Sequence, residues 1–337
     1  MALAAPDSPA LPPPPAPPTG RILWIDAARG IALVAMAIYH FTWDLEFFGY
    51  LDPGLTAVGG WKLFARGIAS SFLILVGVSL FLSHRNGVRW PPFWRRFAMI
   101  VGAALIVSAA SYAATPGSFI FFGILHQIAL ASVVGLLFLR LPPLLMLVAA
   151  AAVIAAPYWL TSQSFDAPWW WWSGLSETRP RSNDYVPAFP WFGAVLIGMA
   201  IAGLAARAGV LDRLRALTPG RWSTPLQFAG RHSLAVYLIH QPVLIACVWL
   251  FAQLAPPVPD PPQVQFKRSC ETSCATQREV AFCVPYCACV LDTLEAEGRL
   301  DDVFSANPDA AFRARLQGVA EICTADVDAR EMTEPSP

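Results

Sequence analysis

Between residues 22 and 254 the chain returns repeatedly to apolar stretches of spanning length, near 22–43, 64–82, 93–113, 119–140, 142–160, 187–207 and 226–254. A bilayer core is about 30 Å thick and a helix rises about 1.5 Å per residue, so roughly twenty residues suffice to cross. Backbone polar groups in lipid must be satisfied within their own segment, which makes these stretches helices. The expected fold class is therefore all-α: a polytopic transmembrane helix bundle of about seven spans, with membrane lipid as its first partner. With 56% apolar and 14% charged residues the chain does not read as a soluble enzyme. A net charge of zero, without a basic cluster interleaved with aromatics, gives no reason to expect a nucleic-acid partner.

The flanks differ from the middle. Residues 1–20, "MALAAPDSPALPPPPAPPTG", lack the basic region and unbroken apolar run of a signal peptide and read as a disordered Pro/Ala-rich arm. Residues 21–255 form the membrane domain, and 256–337 a tail. The last span is expected as one helix, opened by Thr224 as cap and Pro225 at its first position. Basic residues lie in "SHRNGVRWPPFWRR", at Arg140 and in "RAGVLDRLRALTPGR", which places these loops and the N-terminus on the cytoplasmic side. The tail then lies outside.

The cysteines agree with that orientation. Six of seven (Cys270, Cys274, Cys283, Cys287, Cys289 and Cys323) crowd into the tail, and an exported segment with six cysteines reads as three disulfides. The tail has no histidine and the spacing is not that of a zinc ribbon, so no metal is expected. One helix is expected from Pro285 to Gly298 and another from Asn307 and Pro308 onward, making the tail a small cysteine-rich helical module. Cys247, alone in the last span, reads as an inert core thiol.

The first span carries charge that lipid disfavours. In "IDAARGIALVAMAIYHFTWDL", Asp26, Arg29, His40 and Asp44 follow the three-and-four spacing that keeps one helix face together. His40 lies about 27 Å from the start of the span at residue 22. A buried arginine costs roughly 2.5 to 3.5 kcal/mol on insertion scales, so the stripe must face the bundle interior or a wet cavity. Asp26 and Arg29 read either as an ion pair that fixes packing or as a cytoplasmic contact for a phosphate-bearing ligand. Toward the outer side His126, Asp184 and His240 are expected at a similar depth to His40 and Asp44, so that three histidines and two acids gather there. His84 and His232 fall at the cytoplasmic edge and read as solvated. "PWWWWSGL" is either an interfacial anchor or a stacking platform for a sugar ring.

Four ordered segments, "DAARGIALVAMAIYHFTWDL", "FFGILHQIALASVVGLL", "DYVPAFPWFGAVLIGMAIAG" and "GRHSLAVYLIHQPVL", resemble the bacterial branch of the heparan-α-glucosaminide N-acetyltransferase catalytic-domain family. The resemblance covers about residues 20–255. It implies an integral-membrane acyltransferase of the bacterial inner membrane, with a periplasmic tail. Cytoplasmic acetyl-CoA would give its acetyl group to an amino or hydroxyl group of a sugar or glycolipid on the far side. Arg29 and Asp26 would lie by the donor and His40 by the acceptor, where Asp44 or Asp184 orients the ring or holds the sugar. The lysosomal members have asparagine at the position of His40 and use a histidine in the following loop. Here "DLEFFGYLDPGLTAVGGW" has none, so the role passes to His40, with His126 and His240 as alternatives.

Two other readings start from the same residues. A proton-coupled transporter would also line a path with Asp, Arg and His, although no internal duplication is evident. A non-catalytic membrane protein would present the cysteine-rich module to an outside partner.

Overall fold

The computed structural model describes residues 21–257, 260–275, 277–305 and 308–333; the proline-rich arm 1–20 and the helix start expected at Asn307 lie outside them. Twelve α-helices occur among the described residues: α1 Leu23–Phe47, α2 Gly59–His84, α3 Trp90–Ala114, α4 Ile124–Val134, α5 Pro143–Leu160, α6 Ala188–Arg207, α7 Val210–Ala216, α8 Thr224–Arg231, α9 Ser233–Leu254, α10 Pro262–Cys274, α11 Val280–Ala296 and α12 Ala310–Thr333. Six of them (α1, α2, α3, α5, α6 and α9) are long and apolar enough to cross a membrane. The fourth apolar stretch forms the shorter α4, extended by a 3-10 turn to Phe138. The chain is an all-α integral membrane protein.

The described residues fall into two compact units, 21–36 with 66–240, and 37–65 with those from 241 onward. The division crosses α1 after Met36 and α9 after His240.

In the first unit α6 is the central post. Val195, Leu196, Met199 and Ala200 have no measurable exposure and pack with Leu73 of α2, Ala131 of α4 and Met146 of α5. Small residues permit this density. A Cβ on Gly77 would stand 2.0 Å from the Val195 carbonyl oxygen, and one on Gly198 2.0 Å from that of Ile74. The α2 and α6 backbones therefore meet through two glycines facing each other's carbonyls, the close approach that packs helices where lipid supplies no hydrophobic drive. A second reciprocal pair joins α1 to α8. Gly30 faces the Leu226 carbonyl, and Gly230 faces that of Asp26, at 2.1 and 1.9 Å from a built Cβ.

The last apolar stretch is two helices, not the single one expected from Thr224. α8 begins at Thr224 with Ser223 before it, so Thr224 is the first helical residue rather than the cap and Pro225 is the second; the chain then breaks at His232 (φ −103°, ψ 29°) before α9 begins. The tight α8 packing at Gly230 fixes α8's position, and the break lets α9 take its own direction. Pro242 sits inside α9 without ending it.

In the second unit, α10, α11 and α12 form the cysteine-rich module around Phe266, Val290, Leu294, Phe312 and Val319. Three disulfides staple it, Cys270–Cys287, Cys274–Cys283 and Cys289–Cys323. α10 is a helix that the sequence pattern did not announce. α11 starts at Val280 rather than Pro285, which lies inside it. Helical backbone from Val280 brings Cys283 to Cys274, and Phe282 and Cys283 bury against Val327; these offset the one hydrogen bond a proline removes. Gly298, at φ 65°, follows the helix end as expected. Asp309 accepts the Phe312 amide at 2.5 Å and caps α12.

The module is bound to the loop after α1. Arg268 pairs with Asp52 and, at 2.7 Å, with Asp260, and the Tyr50 hydroxyl donates to the Ala255 carbonyl at 2.5 Å. Glu46 organises that loop by accepting the amides of Gly54 and Thr56 at 2.6 and 2.9 Å.

Chain-entropy arguments rank the staples. The Cys289–Cys323 bridge closes a separation of 34 residues and is expected to stabilise by about 4 kcal/mol, against about 2.5 for the separation of 9 in Cys274–Cys283. Replacing both members of each pair by serine should lower the thermal midpoint most for Cys289/Cys323. Equal midpoints for the two variants would contradict the ranking.

Cys247 is exposed on α9, which corrects the expectation of a core thiol. α9 also exposes Ile239, Val243, Trp249, Leu250 and Phe251, so this helix presents a broad apolar surface suited to lipid and the thiol shares it.

Candidate functional site

The polar stripe of α1 forms as its spacing implies. Asp26 and Asp44 are buried, Arg29 and His40 partly so, while Ile31, Val34, Ile38 and Phe41 point outward.

At the Asp26 end, one carboxylate serves several cations. Arg21 donates from Nε to Oδ2 at 2.6 Å and from Nη2 to Oδ1 at 3.0 Å, Arg29 reaches Oδ1 at 3.1 Å, and Arg231 Nε stands 3.8 Å from Oδ2. Three guanidinium groups around one carboxylate leave a surplus of positive charge. Arg29 also donates to the Ser79 hydroxyl on α2 and feels the like charge of Arg96 on α3. Beside them is a cavity of about 100 Å³ lined by His84, Arg89, Arg96 and the hydroxyls of Ser83 and Ser132. Of these arginines only Arg29 is largely buried, while Arg21, Arg96 and Arg231 are exposed; a cluster of like charges attracts an anion, and guanidinium forks match phosphate oxygens. Of this cluster the sequence reading singled out Asp26 and Arg29 and set His84 aside as solvated; Arg96 and Ser79 are added by packing.

His126 and Asp184 come together at the start of α4. The Gly123 amide donates to His126 Nδ1 at 3.2 Å, and the Ile124 amide to Asp184 Oδ2 at 2.9 Å, so both cap the helix. Ser108 gives its proton to the Ile120 carbonyl at 2.6 Å, and its oxygen then accepts from His126 Nε2 at 3.2 Å. Both ring nitrogens of His126 are thereby engaged, one as acceptor and one as donor. The loop before α6 is tied down by the Val186 amide on the Phe122 carbonyl at 3.0 Å and by Asn183 on Ser118 at 2.8 Å.

Removal from water pushes the Asp184 carboxyl up to about 6, opposed by the Ile124 hydrogen bond. A carboxyl held above its ordinary value of 3.8 favours the fold while protonated, and that contribution is lost as pH rises through about 6. Asp184→Asn keeps an oxygen for Ile124. It should flatten the decline in thermal midpoint across this window in detergent, and an unchanged slope would count against the assignment.

His240 lies on α9 with Nδ1 2.6 Å from the Tyr237 carbonyl. That bond requires the proton on Nδ1 and leaves the lone pair on Nε2.

At the Asp44 end, Gln241 Nε2 donates to Asp44 Oδ1 at 2.7 Å. Asp44 has no exposure, and neither its Oδ2 nor Gln241 Oε1 has a hydrogen-bond partner among the described residues. Two buried acceptors therefore lack donors, an arrangement that costs about 1 to 3 kcal/mol per group unless a ligand supplies N–H or O–H groups. His40 lies one turn back on the same face of α1, its ring in edge-to-face contact with Tyr39 at 5.7 Å between centroids. Gln241 was missed because a glutamine beside a histidine in an apolar run carries no motif. Its position before Pro242 was the available hint.

In the aromatic loop, Trp171 Nε1 donates to the Asp166 carbonyl at 2.9 Å and the Trp171 carbonyl accepts from Tyr185 at 2.6 Å. Trp169, Trp170 and Trp172 remain exposed.

The sequence model described as "Heparan-alpha-glucosaminide N-acetyltransferase, catalytic" matches residues 21–242, a stretch that includes Asp26, Arg29, His40, Asp44, His126, Asp184, His240 and Gln241. No curated protein and no solved structure matches the chain.

Proposed function

Since the chain belongs to the heparan-alpha-glucosaminide N-acetyltransferase catalytic family and is a membrane acetyltransferase, we propose that it carries acetyl groups from acetyl-CoA on the cytoplasmic side to an amino or hydroxyl group of a sugar or glycolipid outside. The observation that carries this reading is the pair of unsatisfied acceptors at Asp44 and Gln241. An acceptor rich in O–H and N–H groups answers both, and the arginine cluster at the other end of α1 suits the phosphates of coenzyme A.

In this reading Arg29 and Arg96 hold donor phosphates, with Arg89 and His84 lining the adjoining cavity. Asp44 and Gln241 fix the acceptor, and His40 removes the proton from its amine or hydroxyl. The acceptor's electron pair attacks the thioester carbonyl, the carbon–sulfur bond breaks, and the coenzyme A sulfur leaves with a proton. His240 stands beside Gln241 in sequence and supports the acceptor end. His126 and Asp184 hold the α4 start. The N-terminus is cytoplasmic and the cysteine-rich tail periplasmic, where its disulfides persist.

The test places the protein in sealed vesicles with acetyl-labelled coenzyme A on the cytoplasmic face and amino sugars or glycolipids on the other. Labelled acceptor on the far side is the expected result. Absence of transfer to every acceptor, or product confined to the donor side, overturns the proposal.

A further inference from the structure

A cavity that the α1 stripe does not line lies within the cysteine-rich module. It measures about 670 Å³, within the range of small-molecule sites, roughly 300 to 1,000 Å³. Its walls are apolar: Phe266 from α10, Val290 from α11, Val303 and Phe304 from the turn between, and Leu316 and Ala320 from α12. Cys270 is part of the wall, and its bridge to Cys287 ties α10 to α11 at the cavity.

The rim is polar and carries a single sign of charge. Among the described residues Ser269, Ser273, Gln317 and Arg313 line it, and no carboxylate does. The neighbouring arginines are engaged. Arg299 pairs with Asp302 and lies over the Phe312 ring, and Arg315 pairs with Glu297. Among the described residues Arg313 has no ion pair or ring contact. An apolar well with an uncommitted guanidinium at its edge is complementary to an apolar chain that ends in an anionic head.

The position of the module in the chain favours the same ligand. α10 begins eight residues after α9 ends, a reach of at most about 28 Å from the bilayer-crossing helix. Amphiphiles leaving the membrane surface are thus the nearest abundant source of such molecules. We propose that the module binds a single-chain anionic amphiphile, with its acyl chain in the cavity between α10, α11 and α12 and its head group on Arg313. This goes beyond the acetyl transfer and does not depend on it.

The test uses the full chain in nanodiscs and a photoreactive fatty acid bearing a diazirine, with the corresponding fatty alcohol as the neutral control. Label is mapped by peptide. The expected result is acid label on residues 303–320 that excess unlabelled fatty acid displaces, while label on the spanning helices is not displaced. Arg313→Glu and Ala320→Trp, each confirmed to keep three disulfides by intact mass, should lower label on 303–320 by about fivefold or more, close to 1 kcal/mol. Span labelling should stay unchanged in both. Absence of displaceable label on 303–320 in the wild type overturns the proposal, as does label that both variants leave intact. Equal labelling by the alcohol overturns the anionic head group.

Discussion

Gly198→Val is expected to yield no monodisperse protein. A Cβ at this position would lie 2.0 Å from the Ile74 carbonyl oxygen and 2.8 Å from its carbon, and both are backbone atoms in the middle of α2. A side chain could rotate away; a helix backbone cannot yield without moving all of α2. The same contact is made in reverse by Gly77 on the Val195 carbonyl, so separating the helices breaks both. Around them, Leu73, Leu196 and Met199 are packed without exposure, and an opened seam would leave them uncovered. Overpacking a core commonly costs about 1 to 3 kcal/mol. Here the clash falls on backbone at the most buried helix, and the loss should exceed that range, against a total stability of about 5 to 15 kcal/mol. Size-exclusion profiles of tagged variants in mild detergent provide the measurement. Gly102→Ala is the control, since a Cβ there meets nothing within 4 Å. A Gly198→Val protein as monodisperse as the control would contradict the packing.

His40→Ala is expected to lower the transfer rate by roughly 10² to 10⁴, the usual share of a positioned proton acceptor. The fold should survive, because His40 is half-buried and on a helix surface rather than in the α6 core. Asp44→Asn separates two roles. It keeps an oxygen for the Gln241 amide and removes the charge, so the expected loss is smaller, about tenfold to a hundredfold, and falls on acceptor KM more than on kcat. Gln241→Leu should resemble Asp44→Asn if the two hold the acceptor together. His126→Ala should instead lower thermal stability, as its nitrogens are committed to Gly123 and Ser108. Rates of His40→Ala equal to wild type would remove His40 from the proton-transfer step.

Much of the fold was legible because lipid imposes one rule, internal satisfaction of the backbone, and apolar length reports it directly. The α1 stripe was legible for a similar reason, since helix geometry converts spacing into a face. The disulfide count followed from cysteine number, while the pairing needed coordinates. What escaped were features decided by packing. The break at His232 depends on Gly230 meeting the Asp26 carbonyl, a contact between residues 204 positions apart that no local pattern encodes. α10 is mostly polar, and its inner face is only Phe266, Cys270 and Cys274, two of them cysteines whose pairing was open in the sequence; two disulfides and Phe266 hold it. Within the site, Asp26 and Arg29 could be paired from their spacing, but Ser79 and Arg231 join them through tertiary structure. Gln241 belongs to the same class.

The bond from Arg268 to Asp52 joins residues 216 positions apart, and that from Tyr50 to Ala255 spans 205. The loop that follows Asp44 is ordered locally by Glu46, but its distant partners arrive only when most of the chain has been made. Closing so long a loop is slow relative to helix formation, and here the closing segment also matures through three cysteine pairs. Completion of the Asp44 end of α1 thus waits for the end of synthesis. The first span precedes all the others, and the loop at its far end is held by a module that is among the last parts of the chain to be made.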